Sequence, residues 1–280
     1  MKARFGIRRG TVLLTTLLVA LSAAILPGTA TADGNGDGDE HGDGHQGRSD
    51  HWGVITRNTI GSPVAELRNG PFGSFGVLGP EGRPPYGRGS LGIEVAGSTT
   101  TTPATNEKVD FGNEVDFFSR PVSSLKEVGF HVFQTGENVD YGGPTNMPNI
   151  RFEIDPNLAA PNAGITYSTL VWVPAAAPVT NRWTDYLDAT ETGTWFLTGA
   201  AGVQTNCEQS DLCDFDAVMA ALQDGGEPAT IYSAAVGKGR DFMWIGAVDG
   251  LRINETIYDF EPWGAYRVAS QTLALGVLAA

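Results

Sequence analysis

Residues 242–253 read Phe-Met-Trp-Ile-Gly-Ala-Val-Asp-Gly-Leu-Arg-Ile, and this stretch best indicates how the chain folds. Apolar residues recur in it at every second position, which is typical of a half-buried β-strand. Residues 229–236 have the same character, and the segment Gly237-Lys-Gly-Arg-Asp241 between the two stretches is rich in turn residues. The region therefore predicts two long strands joined by a short turn.

The same strand pattern recurs upstream, with turn signals between the segments. Further strands are predicted over 91–95, 128–133, 150–154, 165–173 and 193–197. Glycine is abundant, at 37 residues, and strand formers dominate the apolar residues. This composition favours an all-β domain with many turns.

One short helix is predicted, directly after a pair of cysteines. Asp214 fits an N-cap, Gly225-Gly226 ends the segment, and the apolar residues at helical spacing are Phe215, Val218, Met219 and Leu222. Cys207 and Cys213 lie close together in the sequence, and an even pair this close predicts one local disulfide in an oxidising exterior.

The N-terminal residues have the order of a secretory signal peptide. A basic start precedes an apolar run over 12–26, and Ala30-Thr-Ala32 fits a small-residue cleavage site. The run is too short for a membrane-spanning helix, so we expect cleavage after Ala32, no membrane span in the mature chain, and a secreted, extracellular or cell-wall-associated protein. The expected divisions are a signal peptide (1–32), a disordered acidic linker rich in Gly, Asp and His (33–51), a β-sandwich domain (52–265) and a C-terminal tail (266–280).

The charge balance excludes one class of partner. The chain has 18 Lys and Arg residues against 32 Asp and Glu residues, a formal net charge of −14. Binding to nucleic acid needs a basic face, so we expect no nucleic-acid partner. The sequence leaves the oligomeric state open.

Residues 215–253 carry a resemblance to a known class of domain. A helix, a strand, a glycine-rich turn and a final strand ending Gly246-Ala-Val-Asp-Gly-Leu-Arg-Ile253 resemble the C-terminal half of secreted bacterial jelly-roll domains of the concanavalin-like and carbohydrate-binding-module-like kinds. The resemblance implies an antiparallel jelly-roll β-sandwich with one short helix. It does not imply one function, because a fold hosts many functions.

Asp249 is the candidate metal ligand. The odd-numbered positions around it are apolar, so its carboxylate is expected on a buried face, which is costly without a partner. Three explanations stay open: a β-bulge at Asp249-Gly250 that turns the side chain outward, hydrogen bonds from backbone donors, or a structural calcium ion of the kind that jelly-roll relatives carry between their sheets.

The strand Arg151-Phe-Glu-Ile-Asp155 resembles the catalytic strand of retaining laminarinase-like glycosidases. In that resemblance Glu153 and Asp155 match the nucleophile and its helper. Retaining hydrolysis needs a second carboxyl group about 5 Å from the first, but Asn157 and Leu158 occupy the places of the acid/base residue. We therefore expect a solvated strand face here and assign no catalytic residue.

Three aromatic residues are the candidate ligand-binding residues: Trp183, Tyr186 and Trp195. Exposed rings stack on the C–H faces of sugars, while nearby amides and carboxylates bind the hydroxyls. The alternative is that the rings fill the core, since Trp is highly buried on average. His131 is expected to be an exposed polar residue beside Glu127, and without a second His in the expected sandwich it builds neither base chemistry nor a zinc site.

These observations favour a secreted, non-catalytic extracellular binding or surface domain, with polysaccharide as the favoured partner. Two alternatives stay open. One is a polysaccharide-active hydrolase with a different carboxylate pair, and the other is a purely structural cell-envelope protein.

Overall fold

Two antiparallel β-sheets build the domain in the computed structural model, which describes residues 45–71, 79–96, 107–176 and 179–269. These residues all belong to one compact unit that spans 43–280. The all-β sandwich expected from the sequence is confirmed, while the jelly-roll strand order stays a prediction. In the described ranges, no helix has the length and apolar character needed to cross a membrane.

Fourteen strands lie within the described residues, and the predicted strands are among them. In chain order they are β1 His45–Ser49, β2 Trp52–Val54, β3 Val64–Asn69, β4 Gly89–Val95, β5 Val109–Asn113, β6 Val128–Gln134, β7 Asn149–Asp155, β8 Ser168–Val173, β9 Leu187–Asp188, β10 Thr194–Leu197, β11 Thr230–Lys238, β12 Trp244–Ile253, β13 Thr256–Glu261 and β14 Gly264–Ala269.

The larger sheet has eight strands and is centred on β12. Its order is β1-β14-β13-β12-β4-β3, and β6 pairs with the other edge of β12 and with β9. The smaller sheet has six strands in the order β10-β8-β7-β11-β5-β2. The long strands predicted around residues 229–253 thus become β11 and β12, each an inner strand of its own sheet.

The inward faces of the two sheets enclose one apolar core. Alternate residues of the central strands point into it, as the period-two pattern predicts. The core residues of these strands include Leu91, Ile93, Val128, Phe130, Val132, Ile150, Phe152, Ile154, Ala234, Val236 and Val248. Phe130 of the larger sheet meets Trp172 of the smaller sheet edge to face, with 5.5 Å between the ring centroids.

The described residues contain three α-helices, so the expectation of one short helix was wrong in number. The helices are α1 Glu137–Gly142, α2 Gly199–Thr205 and α3 Phe215–Ala221. The predicted helix is α3, and the Asp214 carboxylate accepts a hydrogen bond from the Ala217 backbone N–H at 2.7 Å, which confirms the N-cap. The other two are short and lack an apolar stripe, so their sequences carry no helical signal.

The disulfide between Cys207 and Cys213 is confirmed, with 5.4 Å between the Cα atoms. Both cysteines also bond to the edge strand β10 through their backbones. Leu197 donates its N–H to the Cys207 carbonyl, and Trp195 donates to the Cys213 carbonyl, each at 2.7 Å. The bridge therefore covers the free edge of the smaller sheet as well as fixing the entry to α3.

The folded domain is longer at both ends than the sequence predicted. Residues 45–49 were assigned to the disordered linker, but they form β1, which pairs with β14 and includes the buried Ser49. The predicted tail began at residue 266, but β14 continues to Ala269. Backbone pairing of β1 with β14 explains both corrections, because it does not depend on apolar side chains. Asp50 and His51 of the predicted linker are also described, and His51 bonds to Asp116. Linker residues 33–44, tail residues 270–280 and the predicted signal peptide lie outside the described residues.

Candidate functional site

Trp195 belongs to the core, so its predicted role in ligand binding was wrong. Its side chain is fully buried, and its indole N–H donates to the Ala189 carbonyl at 2.7 Å. Its ring lies against Phe152 of β7 and Phe215 of α3, at centroid distances of 6.5 and 5.6 Å. Helix α3 and the disulfide segment cover this part of β10 and remove it from solvent.

Trp183 and Tyr186 lie together on the outer face of the larger sheet, and both are half-buried. The Trp183 ring packs on Phe133 at 5.8 Å, and its indole N–H donates to the Gly82 carbonyl at 3.4 Å. The Tyr186 ring lies 5.8 Å from the His131 ring. The structure thus separates these two residues from Trp195, and their role in ligand binding stays a prediction.

His131 is half-buried, so the expectation of an exposed residue was wrong. Its ring lies between Tyr186 and Tyr86, whose centroid is 6.1 Å away. The Nδ1 atom is 3.0 Å from the Thr184 carbonyl. Burial lowers the pKa of His131, although the Thr184 carbonyl and Asp185 oppose this effect, so the imidazole is neutral at pH 7.

Asp249 is buried, but it lies on the outer face of the larger sheet and not in the apolar core. Trp244 and Val248 point into the core, and after a bulge so do Leu251 and Ile253. The pairing with β6 shifts by one residue between Asp249 and Arg252, and Gly250 adopts a φ of 61°. The bulge therefore exchanges the inward and outward positions midway along β12, and it lies at Asp249-Gly250, where the sequence analysis offered a bulge as one explanation.

Backbone donors satisfy the Asp249 carboxylate. One oxygen accepts from the Tyr86 N–H and the other from the Phe260 N–H, each at 3.1 Å. In the described ranges, no group of three or more His, Cys, Asp or Glu side chains is placed to hold a metal ion. Of the three explanations, the structure shows backbone bonding at a bulge, and the calcium ion stays a prediction.

The outer face of the smaller sheet carries a polar cluster that the sequence analysis expected to be solvated. Arg151 and Glu153 of β7 point away from the core, yet they are only 7% and 3% exposed. A turn of 3-10 helix over Thr56–Asn58 lies on this face and brings Arg57 and Asn58 to Glu153. The expectation of a solvated face was wrong because this cover comes from a distant part of the chain.

Four side chains donate hydrogen bonds to the Glu153 carboxylate. Asn58 and Tyr167 donate to Oε1 at 3.0 and 2.7 Å, Ser233 donates to Oε2 at 2.7 Å, and the Arg57 guanidinium also contacts Oε2. Burial raises the pKa of Glu153, but the four donors outweigh this effect and leave the pKa below its usual value. Glu153 is therefore an ionised anchor and not a proton donor.

Three aromatic side chains lie around Glu153 and the neighbouring Asp155 carboxylate, and we call them the aromatic shelf: Phe118, Tyr167 and Tyr232. Phe118 and Tyr167 are 59% and 53% exposed. The Phe118 and Tyr232 rings are stacked, with centroids 6.2 Å apart and planes 28° from parallel. The Tyr232 hydroxyl donates to the Asp155 carboxylate at 3.1 Å, so the rings of both tyrosines are held by their hydroxyl groups while part of their surface stays open.

A bulge in β11 places the Tyr232 side chain on the outer face of the smaller sheet, where the shelf lies. The pairing with β7 skips Tyr232, because Ile231 faces Ile154 while Ser233 faces Glu153. Ile231 can then point into the core while both residues after it serve the outer face. Strand alternation alone assigns Tyr232 and Ser233 to opposite faces, so the sequence analysis missed the shelf.

Arg57 connects the shelf's carboxylates. Its guanidinium contacts Glu114 through one terminal nitrogen and Glu153 through the other. The Arg57 and Glu114 side chains are about half exposed, and the buried Glu153 carboxylate holds the Arg57 guanidinium in place.

The arrangement combines open, immobilised ring faces with fixed hydrogen-bonding groups at their edges. Such a surface can stack on a ligand with apolar C–H faces and bind its hydroxyl groups. Trp263 is 71% exposed but does not belong to this surface, because it lies in the turn between β13 and β14 of the other sheet. No protein-family model and no curated protein sequence matches this chain.

Proposed function

We propose that this chain is a secreted, non-catalytic extracellular domain that binds a polysaccharide on the aromatic shelf. The observation that carries the proposal is the set of partly open rings of Phe118, Tyr167 and Tyr232, in which both tyrosines are held by their hydroxyl groups and Phe118 stacks on Tyr232. Rings fixed before binding lose little conformational freedom when a ligand stacks on them. An extended ligand that spans several rings gains from each of them.

The polar groups at the shelf fit the same ligand class. The Asp155 carboxylate bonds to the hydroxyl edge of the Tyr232 ring, and the Arg57–Glu114 pair is joined to the hydroxyl edge of Tyr167 through Glu153. Sugar hydroxyls project toward such ring edges from a stacked chain. Carboxylates and guanidinium groups form strong, directional hydrogen bonds with hydroxyls. In this proposal, stacking on the rings provides the affinity for the polysaccharide, and the hydrogen bonds from these groups fix its orientation.

Glu153 argues against the hydrolase alternative at this site. A general acid must hold a proton near the operating pH, whereas the donors around Glu153 keep it ionised. Its two oxygens are also engaged by four side chains, which leaves it poorly placed to attack a substrate. The non-catalytic proposal is the simpler account of this carboxylate.

The proposal is tested by measuring binding of the purified protein to a panel of soluble polysaccharides. We expect at least one of them to bind, and Phe118→Ala and Tyr167→Ala each to weaken that binding about tenfold or more, equivalent to about 1.4 kcal/mol. Tyr167→Phe keeps the ring but removes the hydroxyl bond to Glu153, so it should retain more affinity than Tyr167→Ala.

Trp263→Ala is the matched control, since it removes an exposed aromatic ring from the other sheet. We expect it to leave binding unchanged. A panel in which no polysaccharide binds would overturn the proposal. Binding that survives both shelf substitutions but is lost in Trp183→Ala would move the site to the outer face of the larger sheet.

A further inference from the structure

We infer that the aromatic shelf selects neutral polysaccharides over acidic ones, and that Glu114 enforces this selection by occupying Arg57. The inference rests on the proposed function and concerns the same surface. It follows from how the charges around the shelf are paired.

Arg57 is the cation that a carboxylate on a sugar would meet at the shelf, and its charge is already engaged. One terminal nitrogen contacts Glu114 and the other contacts Glu153. A guanidinium bound by two carboxylates offers a third carboxylate little attraction, because its strongest donors point elsewhere. An acidic sugar would have to displace Glu114, which is the exposed partner of the two.

The balance of charge at the shelf is negative. Arg57 contributes one positive charge, while Glu114, Glu153 and Asp155 contribute three negative charges. An acidic ligand would therefore approach a surface of its own sign, and a neutral ligand would not. The net charge of −14 on the whole chain adds to this repulsion at low ionic strength.

The other cations near the shelf are engaged as well. Half-buried Lys108 contacts the Asp110 carboxylate, and the guanidinium of exposed Arg120 lies over the Phe117 ring, 5.6 Å from its centroid. Arg151 and Lys238 are 7% and 0% exposed. Arg151 contacts the Asp110 carboxylate, and Lys238 contacts the Asp241 carboxylate. These buried groups belong to the packing of the sheet and are not accessible to a polymer in solution.

The test compares neutral polysaccharides that differ in backbone linkage with the carboxymethylated form of each. For any backbone that binds, we expect the wild-type protein to bind the neutral form at least tenfold more tightly. Glu114→Gln, an exposed substitution that frees one side of Arg57, should strengthen binding of the carboxymethylated form at least fivefold. Added salt should weaken that gain, since it comes from charge attraction.

Glu81→Gln is the control, because it removes an exposed negative charge beside Gly82, whose carbonyl bonds to Trp183 on the outer face of the other sheet. It should change binding of either form less than twofold. If a neutral form binds but its acidic form binds equally well, or if Glu114→Gln does no more than Glu81→Gln, the inference is overturned while the proposed function stands. If neither form of any backbone binds, the proposed function itself fails.

Discussion

Asp249 illustrates how a buried carboxylate is accommodated in a sheet. Burial raises its pKa well above the usual value and the nearby Asp259 raises it further, while the backbone N–H groups of Phe260, Gly250 and Tyr86 oppose both effects. The carboxylate thus ties the 84–88 segment and strand β13 to the bulge in β12. These backbone bonds give Asp249 a structural role, since they join three segments of the larger sheet and its adjoining loop.

We expect Asp249→Ala to lower the free energy of unfolding by about 2–4 kcal/mol, because the substitution leaves two backbone N–H groups without acceptors in a buried place. Urea unfolding measures this loss. Asp140→Ala, at an exposed position in α1, is the control and should change stability by less than about 0.5 kcal/mol. Similar losses for the two variants would contradict the account of Asp249.

Asp116 makes stability depend on pH on the acidic side. Burial raises the pKa of its carboxyl group, but hydrogen bonds outweigh this effect and lower the pKa from 3.8 to about 2; the donors are His51, Asn113, Ser49 and Arg267. A lowered pKa in the folded state means that the stabilisation is complete above pH 3.8 and is lost as the pH falls toward about 2.

Asp116→Asn should therefore reduce stability at neutral pH and flatten the loss of stability in that acidic range. Melting temperatures measured from pH 7 downward check both effects. A variant whose acid-side slope equals that of the wild type would show that Asp116 is not the group responsible.

Among the elements, the long alternating strands were predictable and the irregular ones were not. β12 follows from its apolar period, but its bulge reverses which residues point inward, so the period alone could not assign Asp249 to a face and left the bulge as one of three explanations. β1 was missed because its residues are polar and glycine-rich, although its backbone pairs with β14. Whether such a segment forms a strand depends on its backbone pairing with a neighbouring strand and not on its side-chain pattern.

The contribution of β1 can be measured by truncation. A chain that begins at residue 52 lacks the partner of β14 and two of the groups bound to Asp116, whereas a chain that begins at residue 45 keeps them. We expect the shorter chain to melt at a clearly lower temperature. Equal melting temperatures would mean that residues 45–51 do not belong to the cooperative fold.

The disulfide should contribute modestly, because it closes a short loop. Replacing both Cys207 and Cys213 by Ser is expected to cost about 2 kcal/mol in the free energy of unfolding. Chemical unfolding of the oxidised protein and the double variant measures the difference. No measurable loss would show that the backbone bonds to β10 hold the segment without the bridge.

In the molecule as a whole, the sandwich was predictable from sequence and the candidate site was not. Strand periods and turn signals suffice for two packed sheets. The shelf and its anchor bring together side chains from distant parts of the chain, since Arg57 and Ser233 both bond to Glu153. Each of these residues taken alone has an ordinary environment in the sequence, so only the fold reveals them as one site.

One spectrum would locate the ligand on this surface. In a ¹³C–¹H spectrum of the aromatic rings, added neutral oligosaccharide should shift the signals of Phe118, Tyr167 and Tyr232 and leave those of Trp263 in place. Signals that shift at Trp183 and Tyr186 instead, or an unchanged spectrum at saturating concentrations of every neutral ligand, would contradict binding at the aromatic shelf.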